Sequence, residues 1–170
     1  MLGSLFRRLT AENPAGPALF EAITAIARQP HWYVEGKVPD TLDGRFAVLS
    51  TVTALVLARL ERFGDVGNPV SVSLTERFIE VMEAEHRELG LGDPTLGKTM
   101  RKLVGSLSRR TGLWREATDA SSDWDEATRS SLHKDEASPE AISHSAAALR
   151  TFWIGLQQAE LKALEKGRLQ

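Results

Sequence analysis

The stretch TLDGRFAVLSTVTALVLARLERF, residues 41–63, decides the fold. Leu42, Phe46, Leu49, Thr53, Val56, Leu60 and Phe63 recur at steps of four and three, the spacing of a helical seam, and Thr41 precedes them as an N-cap residue. No residue from Phe46 to Ala58 is charged, so apolar character spreads round the whole helix. A helix that is apolar on every side belongs at the centre of a bundle. The uncharged window spans 13 residues, short of the about 20 that a bilayer-crossing helix needs, and reads as a buried core helix of a soluble protein.

Outward from this helix the pattern stays helical. Pro14, Gly16 and Pro17 open a first helix with Leu19, Ile23, Ile26 and Ala27 on one face, and Pro30 stops it. The segment 31–40 holds Trp32, Tyr33, Val34 and Val38 around Gly36 and Pro39 and reads as an extended, packed loop. After a turn at 64–69, Leu74, Phe78, Val81, Met82 and Leu89 mark a third helix ended by Gly90. Asp93 and Pro94 start a fourth, with Leu96, Met100, Leu103, Val104 and Leu107 inside and Gly112 as its end. The polar stretch 115–137 predicts one or two short helices anchored by Trp124 and Leu132. Ser138-Pro139-Glu140 then begins a long closing helix that carries Ile142, Leu149, Leu156 and Ala163 and reaches Gly167.

Only Val70-Ser71-Val72-Ser73 alternates as a strand would. The expectation is an all-α, single-domain bundle of about six helices around the central helix 41–63. Residues 1–15 form an N-terminal extension and 16–170 the domain. Leu2, Leu5, Phe6 and Leu9 give the extension one apolar face, which either docks on the domain or meets a membrane surface.

The formal charge of −2 excludes a globally basic nucleic-acid binder, and DNA is not an expected partner. The absence of cysteine excludes disulfides, thiolate metal sites and a cysteine nucleophile, and fits a reducing compartment such as the cytoplasm. At the N-terminus, Arg7 and Arg8 follow a short apolar stretch, the reverse order of a secretory signal. Charge is strongly segregated further on. Lys98, Arg101, Lys102, Arg109, Arg110 and Arg115 share a stretch with no acid, and residues 116–140 follow with eight acids against Arg129 and Lys134. Three readings fit the basic face: neutralisation by the acidic segment, contact with ribosomal RNA or lipid headgroups, or an acidic protein partner.

Motifs for chemistry are weak. Gly92-Asp93-Pro94-Thr95-Leu96-Gly97-Lys98-Thr99 matches a phosphate-loop pattern in letters, but a helix precedes it where a buried strand is needed, and Pro94 has no N–H to give. Glu83 and His86 have the spacing of two metal ligands on one helical face, yet the nearest second pair is Glu140 with His144, and no glutamates enter the apolar seams. The four histidines are scattered and no serine sits in a nucleophile elbow. An enzyme is not expected, and no metal or cofactor is implied.

Trp32-Tyr33 followed by Val38-Pro39-Asp40-Thr41-Leu42-Asp43-Gly44-Arg45-Phe46 resembles the signature of the ubiquinol-cytochrome c chaperone family: an aromatic pair, then V-P-D-T-x-D-G-R-F. Gly90-Leu91-Gly92-Asp93 leading to Gly97-Lys98-Thr99-Met100-Arg101-Lys102 is similar to the family's second block, where glycine and lysine begin a basic helix. The resemblance implies an α-helical assembly chaperone that binds newly made cytochrome b and aids its maturation into the bc1 complex. In mitochondria such proteins work with a small partner and the ribosome's exit region, and this short chain resembles the bacterial form.

On that reading Trp32, Tyr33, Asp40, Asp43, Arg45, Lys98, Arg101 and Lys102 are the candidate client- or partner-binding residues. Pro39, Thr41, Gly44, Phe46, Gly92, Asp93 and Gly97 form the structural motif. Arg45 either pairs with Asp40 or Asp43 or touches the client. The ribosome exit region and an anionic membrane surface are further expected partners, with the protein in the cytoplasm or at the inner face of the cytoplasmic membrane. The second reading is a small helical carrier holding heme or a quinone headgroup in the aromatic loop, with His31 as ligand. The third is a peripheral membrane-binding domain.

Overall fold

The computed structural model describes residues 13–119, 123–133 and 137–169, and every regular element among them is helical, with no strand. The N-terminal face of Leu2, Leu5, Phe6 and Leu9 lies outside the described residues. Six helices have nine or more residues: α1 (Ala15–Ala27), α3 (Leu42–Glu61), α4 (Asn68–Glu88), α5 (Asp93–Asp119), α6 (Trp124–Leu132) and α7 (Pro139–Gln158). Two single-turn helices, α2 (His31–Val34) and α8 (Leu161–Leu164), and a 3-10 turn at Gly64–Val66 complete the described elements.

The apolar helix is central, as its sequence requires. α3 touches α1, α4, α5, α6 and α7, and Val48, Val52, Leu55, Val56 and Leu60 are fully buried. Each such side chain contributes about 1.5–3 kcal/mol through loss of contact with water. Ser50 and Thr53 share this interior because their hydroxyls donate to the main-chain oxygens of Phe46 and Leu49 at 2.7 and 2.8 Å. Thr41 caps the helix, its hydroxyl accepting from the Gly44 N–H at 3.2 Å.

Four local expectations need correction. The segment after Pro30 is a helical turn followed by a loop, because the aromatic pair satisfies the last carbonyls of α1. Trp32 Nε1 donates to the Ile26 oxygen and the Tyr33 hydroxyl to the Ala27 oxygen, both at 2.9 Å. Val70–Ser73 is helical rather than extended. Ser73 packs its hydroxyl on α1, donating to the Asn13 oxygen and accepting from the Gly16 N–H.

Gly112 does not end α5. Glycine inside a helix costs only about 1 kcal/mol, and the buried seam Leu107, Thr111, Trp114 and Ala117 runs straight through it. Lastly, the closing helix ends at Gln158. Arg59 of α3 donates from Nε to the Leu156 oxygen at 2.8 Å and from Nη2 to the Ala159 oxygen at 3.1 Å, capping the terminus before α8 begins.

Candidate functional site

The first turn of α3 separates two grooves that share Asp43, Phe46 and Leu103 as walls. Its geometry follows from the sequence around Gly44. A Cβ at Gly44 would collide with the Pro39 carbonyl oxygen, so only glycine lets the loop cross this close to the helix. Phe46 lies half-buried on the shared wall, its ring centroid 6.1 Å from that of Phe78 and the Arg110 guanidinium 5.9 Å away on its other contact.

The first groove, about 1040 Å³, runs between α1, α2, α3 and the second half of α4. Its floor is apolar: Phe46, Leu49, Val81, Met82 and Leu103 line it. Large apolar side chains also stand out in the open around it, with Val34, Leu42 and Leu89 at 56%, 69% and 62% exposure. Asp40 and Arg45 form an ion pair of 2.7 Å on its edge. The Arg45 hydrogen bond holds the Asp40 carboxyl below its ordinary pKa, while burial, with Asp40 second, raises that of Tyr33.

The second groove, about 1360 Å³, carries a cluster of cations on a mixed polar and apolar lining. Lys37 comes from the loop, Lys102, Arg109 and Arg110 from α5, His133 from the end of α6 and Ser138 from the cap of α7. Arg110 bridges α5 to α6 by donating to the Ser131 oxygen at 2.9 Å. Burial, with Arg109 second, lowers its pKa. Lys37 adopts φ of 52°, a left-handed conformation that costs a non-glycine residue about 1 kcal/mol.

Several residues expected to bind meet at these grooves. Tyr33, Asp40 and Arg45 line the apolar one, Lys102 the basic one and Asp43 both. Trp32 does not reach the surface: at 2% exposure it belongs to the core and serves to hold the loop on α1. Lys98 and Arg101 are exposed on α5 outside both grooves. Among the motif residues, Pro39, Thr41 and Gly44 shape the basic side, whereas Gly92 and Gly97 have open space or only the Arg101 guanidinium near them. Asp93 lies 3.9 Å from Arg87. The phosphate-loop lookalike 92–99 follows helix α4 and opens helix α5, so its letters are those of a helix start.

Other candidate ligands are engaged locally. Glu83 bonds Arg87 at 2.7 Å, and His86 Nδ1 lies 2.7 Å from the Met82 oxygen. His31 has Nδ1 3.2 Å from His144 Nε2 and Nε2 3.1 Å from Gln29 Oε1, so a heme iron would have to displace one of these contacts. Among the described residues of the following acidic stretch, Asp119 pairs with Arg62 and Glu126 with Arg129, while Arg115 turns to Glu61.

Among the described residues, then, a helical bundle without strands sets an open apolar groove beside a cationic one. The ubiquinol-cytochrome C chaperone family model matches residues 34–169, and the chain belongs to this family. The crystal structure of the Cbp3 homolog from Brucella abortus is similar over 98% of this chain and 94% of that one, with 30% identity and a TM-score of 0.78. No curated protein matches the sequence. A chaperone role in bc1 assembly follows from the family. Among the described residues no helix is long and apolar enough to cross a membrane.

Proposed function

We propose that this chain is a non-catalytic assembly factor that holds newly made cytochrome b in its apolar groove until the subunit joins the bc1 complex. The carrying observation is the exposed apolar rim of Leu42, Leu89 and Val34 around a groove floored by side chains that include Met82. Exposed apolar clusters of this kind mark interaction sites, and a thioether adapts to varied apolar surfaces. A membrane-embedded client offers apolar segments that need cover before insertion or assembly. The Asp40–Arg45 pair and Tyr33 supply polar contacts on the edge, and the cations Lys98 and Arg101 extend the surface toward the ribosome exit region or an anionic membrane.

The test is a reduced-minus-oxidised spectrum of membranes from a strain lacking the protein, with an immunoblot for cytochrome b. Selective loss of b-type heme signal and bc1 subunits, with other cytochromes kept, is expected. Unchanged bc1 would overturn the reading.

A further inference from the structure

We propose that the basic groove is a binding site for a phosphate group, carried either by a phospholipid headgroup or by a small phosphorylated compound. This goes beyond the chaperone reading and does not depend on it. Among the described lining residues Lys37, Lys102, Arg109 and Arg110 stand with one carboxylate, Asp43. A partly buried guanidinium bonded only to neutral oxygens is costly, and among the described residues Arg110 is in that state. It donates to Ser106 and to the Ser131 oxygen, and its Nε has no hydrogen-bond partner among the described residues.

Two further features aim at an anion. The N-termini of α3 and α7, each 20 residues long, reach this groove through Thr41, Asp43 and Ser138 and bring the positive ends of their dipoles. His133 on the wall is only 7% exposed, and its Nε2 has no hydrogen-bond partner among the described residues. A buried polar atom without a partner normally signals a missing ligand or water. Paired arginines, a lysine and two helix ends match the charge and the several acceptor oxygens of a phosphate. The apolar groove begins across the shared wall of Phe46 and Leu103, which places acyl-chain surface beside the headgroup site.

Calorimetric titration of the full chain at about 0.15 M salt, where long-range attraction between exposed charges is screened, tests this. The probes are inorganic phosphate and monomeric dihexanoyl phosphatidic acid, with dihexanoyl phosphatidylcholine as the zwitterionic control. We expect saturable binding of both anions, mutual competition, and about tenfold weaker binding of each in Lys102→Ala/Arg109→Ala. Both positions are exposed, so circular dichroism should show an intact fold. Lys162→Ala/Lys166→Ala removes the same charge from exposed positions outside the groove and should leave affinity unchanged.

A tighter complex with phosphatidic acid than with phosphate assigns the site to a phospholipid, and equal affinities assign it to a small phosphorylated compound. Absence of saturable binding to the wild type, or equal weakening in the two double variants, overturns the proposal.

Discussion

Arg59 Nε sits 2.8 Å from the main-chain oxygen of Leu156, 97 residues further along the chain, and this contact ties the central helix to the end of the closing one. The guanidinium also reaches the Ala159 oxygen at 3.1 Å and lies 4.1 Å over the Phe63 ring. Carbonyls at a helix end lack partners within the helix, and this side chain adds to the single Ala159 N–H bond that the Leu156 oxygen accepts. Arg59→Ala should therefore destabilise by about 2 kcal/mol, the range for hydrogen bonds to a charged group whose partners stay half-buried. Arg59→Lys should recover part of the loss, since a point cation reaches one carbonyl but not two. Urea denaturation measures both. Equal stability of all three proteins would remove the cap from the account of the fold.

Two glycines of the signature blocks, Gly44 and Gly92, should behave differently. A methyl group at Gly44 meets the Pro39 carbonyl, a main-chain atom that cannot step aside without moving the loop, whereas nothing lies within 4 Å of one at Gly92. Gly44→Ala is expected to cost roughly 3 kcal/mol, as overpacking does. Gly92→Ala should stay within about 0.5 kcal/mol of the parent, as open surface positions do. Thermal melts of the two variants decide it. Similar melting temperatures would mean that the loop relaxes freely.

Periodicity made the central helix and the other long helices legible, because burial demands the same spacing that the sequence displays. It failed where a tertiary partner outweighs a local signal. Gly112 is a sound stop signal in isolation, but Trp114 is fully buried, donates to the Ser131 hydroxyl at 2.9 Å and packs its ring 5.2 Å from that of Trp124, and those contacts carry the helix on. The aromatic pair was visible in the sequence as a marker but not as a cap for α1, since the acceptors at Ile26 and Ala27 are six residues back.

Half of the basic groove was similarly hidden. Lys102, Arg109 and Arg110 announce themselves as a charge run, whereas Lys37 and His133 join them only through the fold. Leu42 read as part of a buried seam and in fact stands exposed on the rim. The first turn of a helix extends past the core it enters, which periodicity alone does not show.

Acid should weaken the fold before carboxylates titrate. Burial, then the neighbouring His144, lowers the pKa of His31 below 6.5 against a smaller opposing effect of Glu35, and burial, then Arg129, lowers that of His133. For each group the unfolded chain binds the proton more readily, so the stability it contributes is present above pH 6.5 and is lost as pH falls through the folded-state pKa. The melting temperature should drop between pH 7.5 and pH 5.5 at constant ionic strength, and His133→Gln should flatten part of that slope. A flat profile in the parent protein would show that both imidazoles charge without cost.

If the apolar groove holds the client, its exposed rim must matter for function and not for folding. Leu42 and Leu89 are already in water, so Leu42→Glu/Leu89→Glu removes little native packing and should change stability by less than about 1 kcal/mol. It nevertheless places two carboxylates where an apolar segment would have to desolvate them, which opposes binding strongly. Val72→Glu is the matched control, since Val72 is 56% exposed on α4 but does not line the groove. Each variant is expressed in a strain lacking the protein, and the b-type heme signal of its membranes is read against the amount of soluble variant. The double variant should accumulate to normal levels yet leave the b-type signal near that of the deletion, while Val72→Glu restores it. Full restoration by the double variant would move the client off this groove and onto another surface of the bundle.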